Sequence, residues 1–262
     1  TAAAAATKPN IVFVITDDQG YGDLGFTGNP VVKTPHIDRL AAESSQLKDY
    51  HVAPTCSPTR AALLTGHWTD RTGVWHTVNG RSMLRENEIT LGQLLKAHGY
   101  ATGMFGKWHL GEKDAYHPGQ RGFDEAIVTM GKHFDFKTQP PVEYPKGEYL
   151  ADFLTNKAVD FIQRHKDAPF FLYLPHYGVH SPHDAKDEIT ARFKDKPPVG
   201  GHHSPVYAAM IASVDESVGR VMAALDELKL AANTVLIFAS DNGGVGGYAR
   251  EGIKKSADII GT

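Results

Sequence analysis

Residues 10–18 read NIVFVITDD, an unbroken run of β-branched and aromatic side chains from Asn10 to Thr16 with two aspartates directly behind it. A strand with one wet face would alternate apolar and polar. A continuous apolar run is the pattern of a strand buried on both faces, as in a parallel sheet covered by helices. Similar runs recur at Tyr100–Phe105, Pro169–Leu174 (PFFLYL) and Thr234–Ser240 (TVLIFAS), and Leu47–Val52 reads as a further strand. Between them lie segments of helical character. These are Ile37–Ser45; a short helix entered at Ser57-Pro58, with Ser57 as N-cap, Pro58 at the first helical position and Gly66 beyond its end; and Thr90–His98, capped by Thr90 and stopped by Gly99. Tyr149–His165 has Leu150, Phe153, Leu154, Ala158 and Phe161 at helical spacing, and Pro205–Leu228 carries a long apolar stripe suited to core packing. Residues 111–148 read as a long excursion and 194–204 as a loop. Alternating strands and helices with uniformly apolar strands define an α/β fold, a mainly parallel sheet sandwiched between helices.

Composition limits the function classes. The chain has 262 residues, 41% of them hydrophobic and 22% charged, one cysteine, 14 histidines and a net charge of −3. That is ordinary for a globular domain. One cysteine forms no internal disulfide, no dense Lys/Arg stripe marks a nucleic-acid partner, and no apolar run reaches the ~18–20 residues of a membrane-spanning helix. Thr1–Thr7 is rich in alanine and has no basic n-region. Residues 1–8 therefore read as a flexible leader or the start of a mature exported protein, periplasmic or secreted. Residues 245–262 hold no further clear strand or helix, so 9–262 reads as one catalytic α/β domain that stops short of its C-terminal part. An edge left open in this way predicts low stability or self-association.

In open parallel sheets, ligands bind at the carboxyl ends of the strands. Reading just past each expected strand gives Asp17 and Asp18, then Lys107 and His109, then His176, His180 and His183, then Asp241 and Asn242. Asp17, Asp18, Asp241 and Asn242 offer only oxygen, which suits Ca²⁺ or Mg²⁺ better than zinc; the same residues also serve as turn formers, and the residues alone leave both readings open. Cys56 stands at a helix start, where free N–H groups and the helix dipole favour an anion and lower a thiol's pKa. Arg60 follows within reach of that anion.

Cys56-Ser57-Pro58-Thr59-Arg60 resembles the Cys-x-Pro-x-Arg signature of the type I, formylglycine-dependent sulfatases of the alkaline phosphatase superfamily. The resemblance extends to the opening strand with Asp17-Asp18, to Gly106-Lys107-Trp108-His109, to His180-Ser181-Pro182-His183 and to Ser240-Asp241-Asn242-Gly243-Gly244, in the family's order over residues 9 to 244. It implies a sulfuric ester hydrolase of arylsulfatase type in which a formylglycine-generating enzyme converts Cys56 to Cα-formylglycine. It also implies that Asp17, Asp18, Asp241 and Asn242, with residue 56, bind Ca²⁺, with Mg²⁺ as the other candidate. One hydroxyl of the hydrated aldehyde then attacks sulfur and the alcohol leaves; loss of the second hydroxyl's proton expels sulfate. In that scheme Arg60 stabilises the region around residue 56 and the metal, Lys107 contacts sulfate oxygens, His109 is the base at the gem-diol, and His180 stands near the leaving group or the sulfate, with an acid role open to it.

The chain departs from the family in one respect. Members carry a Gly-rich segment with a second lysine after the Asp-Asn-Gly-Gly block, and Lys254 and Lys255 do not match it. The implied substrate is a small-molecule or carbohydrate sulfate ester. Three alternatives stand beside this reading: a phosphonate or phosphate diester hydrolase on the same scaffold, a catalytically incompetent anion-binding fragment, and a hydrolase using the unmodified Cys56 thiol with His109 as base. The loops 111–148 and 184–204, with His133, His202 and His203, either shape the substrate pocket or are solvated, and for any one of these residues solvation is the favoured reading.

Overall fold

The apolar run Asn10–Thr16 is strand β1, and it runs between two parallel neighbours, one strand in from the edge of a six-stranded sheet. The other strands are β2 (Ala101–Gly106), β3 (Glu125–Thr129), β4 (Thr138–Gln139), β5 (Phe170–Pro175) and β6 (Thr234–Ser240), in the spatial order β4-β3-β2-β5-β1-β6. All pairings among the described residues are parallel except β3 with β4. The structure, a computed structural model, describes residues 8–111, 113–199 and 202–244; the readings made of residues 1–7 and 245–262, Lys254 and Lys255 included, lie outside the described residues.

Parallel pairing requires a crossover after each strand, and the helices supply it. In chain order these are α1 (Pro35–Glu43), α2 (Cys56–Thr65), α3 (Thr69–Thr72), α4 (Leu91–Ala97), α5 (Leu150–Arg164), α6 (Asp187–Thr190) and α7 (Pro205–Glu227). They cover both faces. Val12 and Val14 of β1 and Phe170, Leu172 and Leu174 of β5 pack with α5 and α7, whereas Phe13, Ile15, Phe171 and Tyr173, the alternate residues, pack with Ala61 and Leu64 of α2 and with Trp108 and Phe123. Since successive side chains point to opposite faces, two apolar cores explain why these strands read as continuous apolar runs. Asp215 of α7 ties the helical layer together. Thr34, the N-cap of α1, makes no side-chain cap bond, and Asp215 Oδ1 instead accepts from the backbone N–H of His36 at 3.0 Å and of Ile37 at 2.8 Å. A carboxylate at a helix N-terminus satisfies orphan donors and opposes the dipole.

Several expectations are corrected. Leu47–Val52 is not a strand. Lys48 and Asp49 form a turn, and Leu47 is 78% exposed, so the segment has no sheet partner to bury its apolar side chains. The excursion 111–148 contains β3 and β4; β3 is five residues, three half-buried and two buried, and β4 only two, too short to establish a period. Helix α2 begins two residues earlier than read: Cys56 is its first residue and Thr55 its N-cap, so Ser57 does not cap it. β6 forms one edge of the described sheet, and Val235 and Ile237 are exposed on it.

His176, expected among the chemistry-bearing residues past β5, turns inward instead. It is fully buried, its Nε2 is 2.9 Å from Ser217 Oγ of α7, and Ser217 Oγ accepts from Thr155 Oγ1 of α5 at 2.6 Å. Burial pushes its pKa down to about 4. The unfolded chain, with an imidazole near ~6.5, binds more protons in the interval, so stability falls as pH drops from about 6.5 through about 4. The loss attributable to this residue reaches roughly 3 kcal/mol. Urea unfolding across pH 4–8 of wild type and His176→Asn is expected to show a steeper acid decline for wild type; parallel curves would refute this.

Candidate active site

The carboxyl ends of β1, β2, β5 and β6 lie side by side, and backbone hydrogen bonds splice the loops that leave them. Asp241 N–H donates to Thr16 O at 3.1 Å, Asp17 N–H to Gly178 O at 2.9 Å and Val179 N–H to Asp17 O at 2.8 Å. The side chains of Asp17, Asp18, Cys56 and Asp241 converge there. All four are buried, and their candidate ligand atoms lie within 4.8 Å of one another. Cys56 Sγ is 4.0 Å from Asp18 Oδ1. Asn242 joins from its Nδ2, which donates to Asp18 Oδ1 at 2.8 Å.

Two buried cations hold these carboxylates together. Arg60 donates from Nε and Nη2 to Asp241 Oδ2 at 3.0 and 2.8 Å and from Nη1 to the Lys107 carbonyl at 2.6 Å. Its guanidinium is thus directed at the carboxylates beneath the cluster, and not at an anion before the helix start as its spacing suggested. Lys107 Nζ pairs with Asp17 Oδ2 at 2.5 Å and lies 5.6 Å above the Tyr177 ring. Lys107 reaches this place because Gly106 before it has φ +135°, and a Cβ there would stand 1.9 Å from the Pro175 carbonyl oxygen, which accepts the Lys107 N–H at 2.7 Å. Only glycine allows so close a backbone approach.

Two histidines flank the cluster. His109 has φ +60°, an uncommon conformation for a side-chain-bearing residue, and Asp18 has φ +58°. His109 Nε2 donates to the Thr77 carbonyl at 3.1 Å, which leaves Nδ1 buried as an unpartnered acceptor. Burial, then the charges of Lys107 and Arg60, push its pKa down to about 3, so the ring is neutral near pH 7. His180 Nε2 is 3.5 Å from Asp18 Oδ2, and its Nδ1 bonds the Ser181 carbonyl. The sequence reading missed what supports it. His133, expected to be solvated, is 2% exposed; its Nε2 donates to the His180 carbonyl at 2.9 Å, and its ring packs 5.0 Å from Tyr177, which in turn lies 4.9 Å from the His180 ring. A histidine between Gly131 and Phe134 gave no periodic signal of burial. His183 packs on Tyr207 at 5.2 Å, and His202 sits beside Asn29 at 3.3 Å. Both lean on the protein and are half-buried.

The donor set fits a divalent cation. Three buried carboxylates face two buried cationic side chains, which leaves one negative charge in excess. Asp17 Oδ1 and Asn242 Oδ1 are buried with no hydrogen-bond partner among the described residues. Oxygen donors of this kind match a hard cation, and burial together with Asp17's charge raises the Asp241 pKa against the pull of Arg60 and Lys107, a conflict that a bound cation removes. The thiol expectation is reversed. Burial first, then Asp17, pushes the Cys56 pKa up and outweighs Lys107 and Arg60, so the helix N-terminus does not make this thiol acidic.

The family model for sulfatases matches residues 9–259, and the chain belongs to the sulfatase family. N-acetylgalactosamine-6-sulfatase of Sus scrofa is 35% identical over 275 residues, covering 91% of this chain and 51% of the relative. Arylsulfatase A of Homo sapiens is 32% identical over 280 residues, covering 92% and 53%. The chain therefore spans about half the length of the curated relatives it matches. Among solved structures, Ps i-CgsB aligns with a TM-score of 0.82 at 32% identity over 91% of this chain and 59% of that one. The phosphonate monoester hydrolase of Agrobacterium radiobacter shares the fold, with a TM-score of 0.70 at 19% identity, over 89% of this chain and 62% of that one.

Gly106→Ala is expected to lower stability by about 2–4 kcal/mol, through a left-handed φ and a backbone clash together. Chemical denaturation measures it; a loss under about 0.5 kcal/mol, the scale of an ordinary surface substitution, would show that the β2–β5 approach is not tight.

Proposed function

We propose that this chain carries the catalytic α/β domain of a sulfuric ester hydrolase, with Cys56 as the precursor of Cα-formylglycine and a divalent cation, Ca²⁺ or Mg²⁺, held by Asp17, Asp18, Asp241, Asn242 and residue 56. The observation that carries this reading is the convergence of the cysteine at the start of α2 with three buried carboxylates from two distant strand ends. The family's cation and formylglycine hydrate together supply a Lewis acid and an attacking oxygen. The chain's own residues supply the rest. Lys107 and Arg60 counter the carboxylates and leave a cation-loaded site positive overall, which suits a sulfate group. His109, neutral and with Nδ1 free to accept, takes a proton from the nucleophile side. His180 is placed to give a proton from Nε2 to the departing alcohol oxygen, its Nδ1 held by the Ser181 carbonyl.

The names of relatives favour a sugar sulfate as substrate. One group of relatives is called N-acetylgalactosamine-6-sulfatase, and Ps i-CgsB has also been solved in complex with k-i-k-neocarrahexaose. Maturation of Cys56 calls for a formylglycine-generating enzyme as partner. We assign the chain to an exported, periplasmic or secreted, setting on the habits of the family. Among the described residues no helix is long and apolar enough to cross a membrane.

The test is to produce the chain with a formylglycine-generating enzyme, verify the mass decrease of the Cys56 peptide, and assay aryl sulfate and phenylphosphonate esters side by side. Sulfate ester turnover that disappears in Cys56→Ala is expected. Faster phosphonate turnover would favour the phosphonate hydrolase, binding of sulfated ligands without turnover the anion-binding fragment, and activity of the unconverted protein the thiol mechanism. For the cation, Ca²⁺ at a hundredfold excess over its Kd is expected to add about 2.7 kcal/mol of stability, seen as a rise in Tm that a chelator reverses and Asp17→Asn abolishes. No shift in wild type would count against the metal site.

A further inference from the structure

The loop that follows α3 is fixed unusually well for an exposed segment. Val74 and Leu84 are buried at its two ends, and Leu84 N–H donates to the Leu110 carbonyl at 3.1 Å. Its two arms are clasped where the N–H groups of Trp75 and His76 both reach the Arg81 carbonyl, at 3.1 and 3.4 Å, and its tip turns through Asn79 and Gly80 in left-handed conformations. In its middle, the Thr77 carbonyl holds His109 Nε2. The loop therefore stands beside the residue proposed as the catalytic base.

Two side chains on this rigid loop have no structural use within the described residues. Trp75 is 58% exposed, in contrast to the buried Trp108. The Arg81 guanidinium carbon lies 4.8 Å from the Trp75 ring centroid. Arg81 is half-buried and has no carboxylate or hydrogen-bond acceptor for its guanidinium among the described residues. An exposed indole that retains an open face costs apolar hydration, and stacking keeps the guanidinium oriented while leaving its N–H fork available to an anion. Trp75 is two residues from Thr77, so its Cα lies within ~7 Å of that of the residue whose carbonyl holds His109.

We propose that Trp75 and Arg81 form a recognition subsite for the sugar ring next to the sulfated one, in an oligosaccharide whose neighbouring unit carries its own sulfate or carboxylate. The apolar C–H face of that ring stacks on the indole, and its anion pairs with the Arg81 guanidinium. This rests on the sulfatase reading above for the position of the scissile ester, but binding at the subsite does not require turnover.

The experiment is calorimetric titration of the whole chain with a chondroitin 6-sulfate tetrasaccharide and with a sulfated galactan hexasaccharide, set beside inorganic sulfate and beside 4-nitrophenyl sulfate kinetics. Trp75→Ala and Arg81→Ala are each expected to weaken binding of at least one oligosaccharide tenfold or more, while inorganic sulfate affinity and 4-nitrophenyl sulfate kcat/KM stay within twofold of wild type. Equal oligosaccharide affinity in the variants, or no oligosaccharide binding by wild type, would overturn the subsite. Trp75-dependent oligosaccharide binding in a chain that hydrolyses no sulfate ester would leave the subsite standing and remove the hydrolase reading instead.

Discussion

The fully buried pairing of Arg60 with Asp241 is the interaction on which the site depends. Asp241 follows β6, Asp17 and Asp18 follow β1, and in a low-dielectric interior three carboxylates at this spacing repel one another strongly. Arg60 binds Asp241 through two nitrogens and with its third nitrogen fastens the Lys107 carbonyl, so a single guanidinium fixes one carboxylate and the backbone of the second cation. Lys107 then neutralises Asp17. Burying such pairs is costly unless geometry and hydrogen bonding are nearly complete. The close Gly106–Pro175 approach and the spliced backbone of the strand-end loops meet that requirement.

Parallel strand direction is what makes this possible. β1, β2, β5 and β6 all point the same way, so the residues that follow them arrive at one edge, even though Asp18 and Asp241 are 223 positions apart in the chain. An antiparallel neighbour would send the next loop to the opposite edge. β4, the antiparallel strand, lies at the far side of the sheet and contributes nothing to the cluster.

This also explains what was readable in the sequence. The strands that build the site are buried on both faces, and their continuous apolar runs announce them; the polar residue after each run then marks the edge. β3 and β4 sit towards the periphery, are short and only partly buried, and give no such signal. Leu47–Val52 has the composition of a strand, but nothing in composition reveals that no partner edge awaits it. Residues whose role comes from tertiary packing were the least visible. His133 and His176 read as loop or site histidines, and one became a buried strut under His180 while the other became a core group bonded to α7. The direction of Arg60 was hidden for the same reason: the helix starts two residues earlier than read, which puts Arg60 at its fifth position, with the guanidinium on Asp241 and away from the helix mouth.

The environment of Cys56 bears on which chemistry this scaffold supports. A thiolate there would add a negative charge beside Asp17, Asp18 and Asp241, and burial and the carboxylates together raise the thiol's pKa. A mechanism that starts from a thiolate works against the cluster that surrounds it. An uncharged hydrated aldehyde places no such demand, and it presents oxygen, which a hard cation shared with aspartates prefers over neutral sulfur. The carboxylates around Cys56 therefore work against a thiolate nucleophile, and the oxidised residue and cation proposed above escape that conflict.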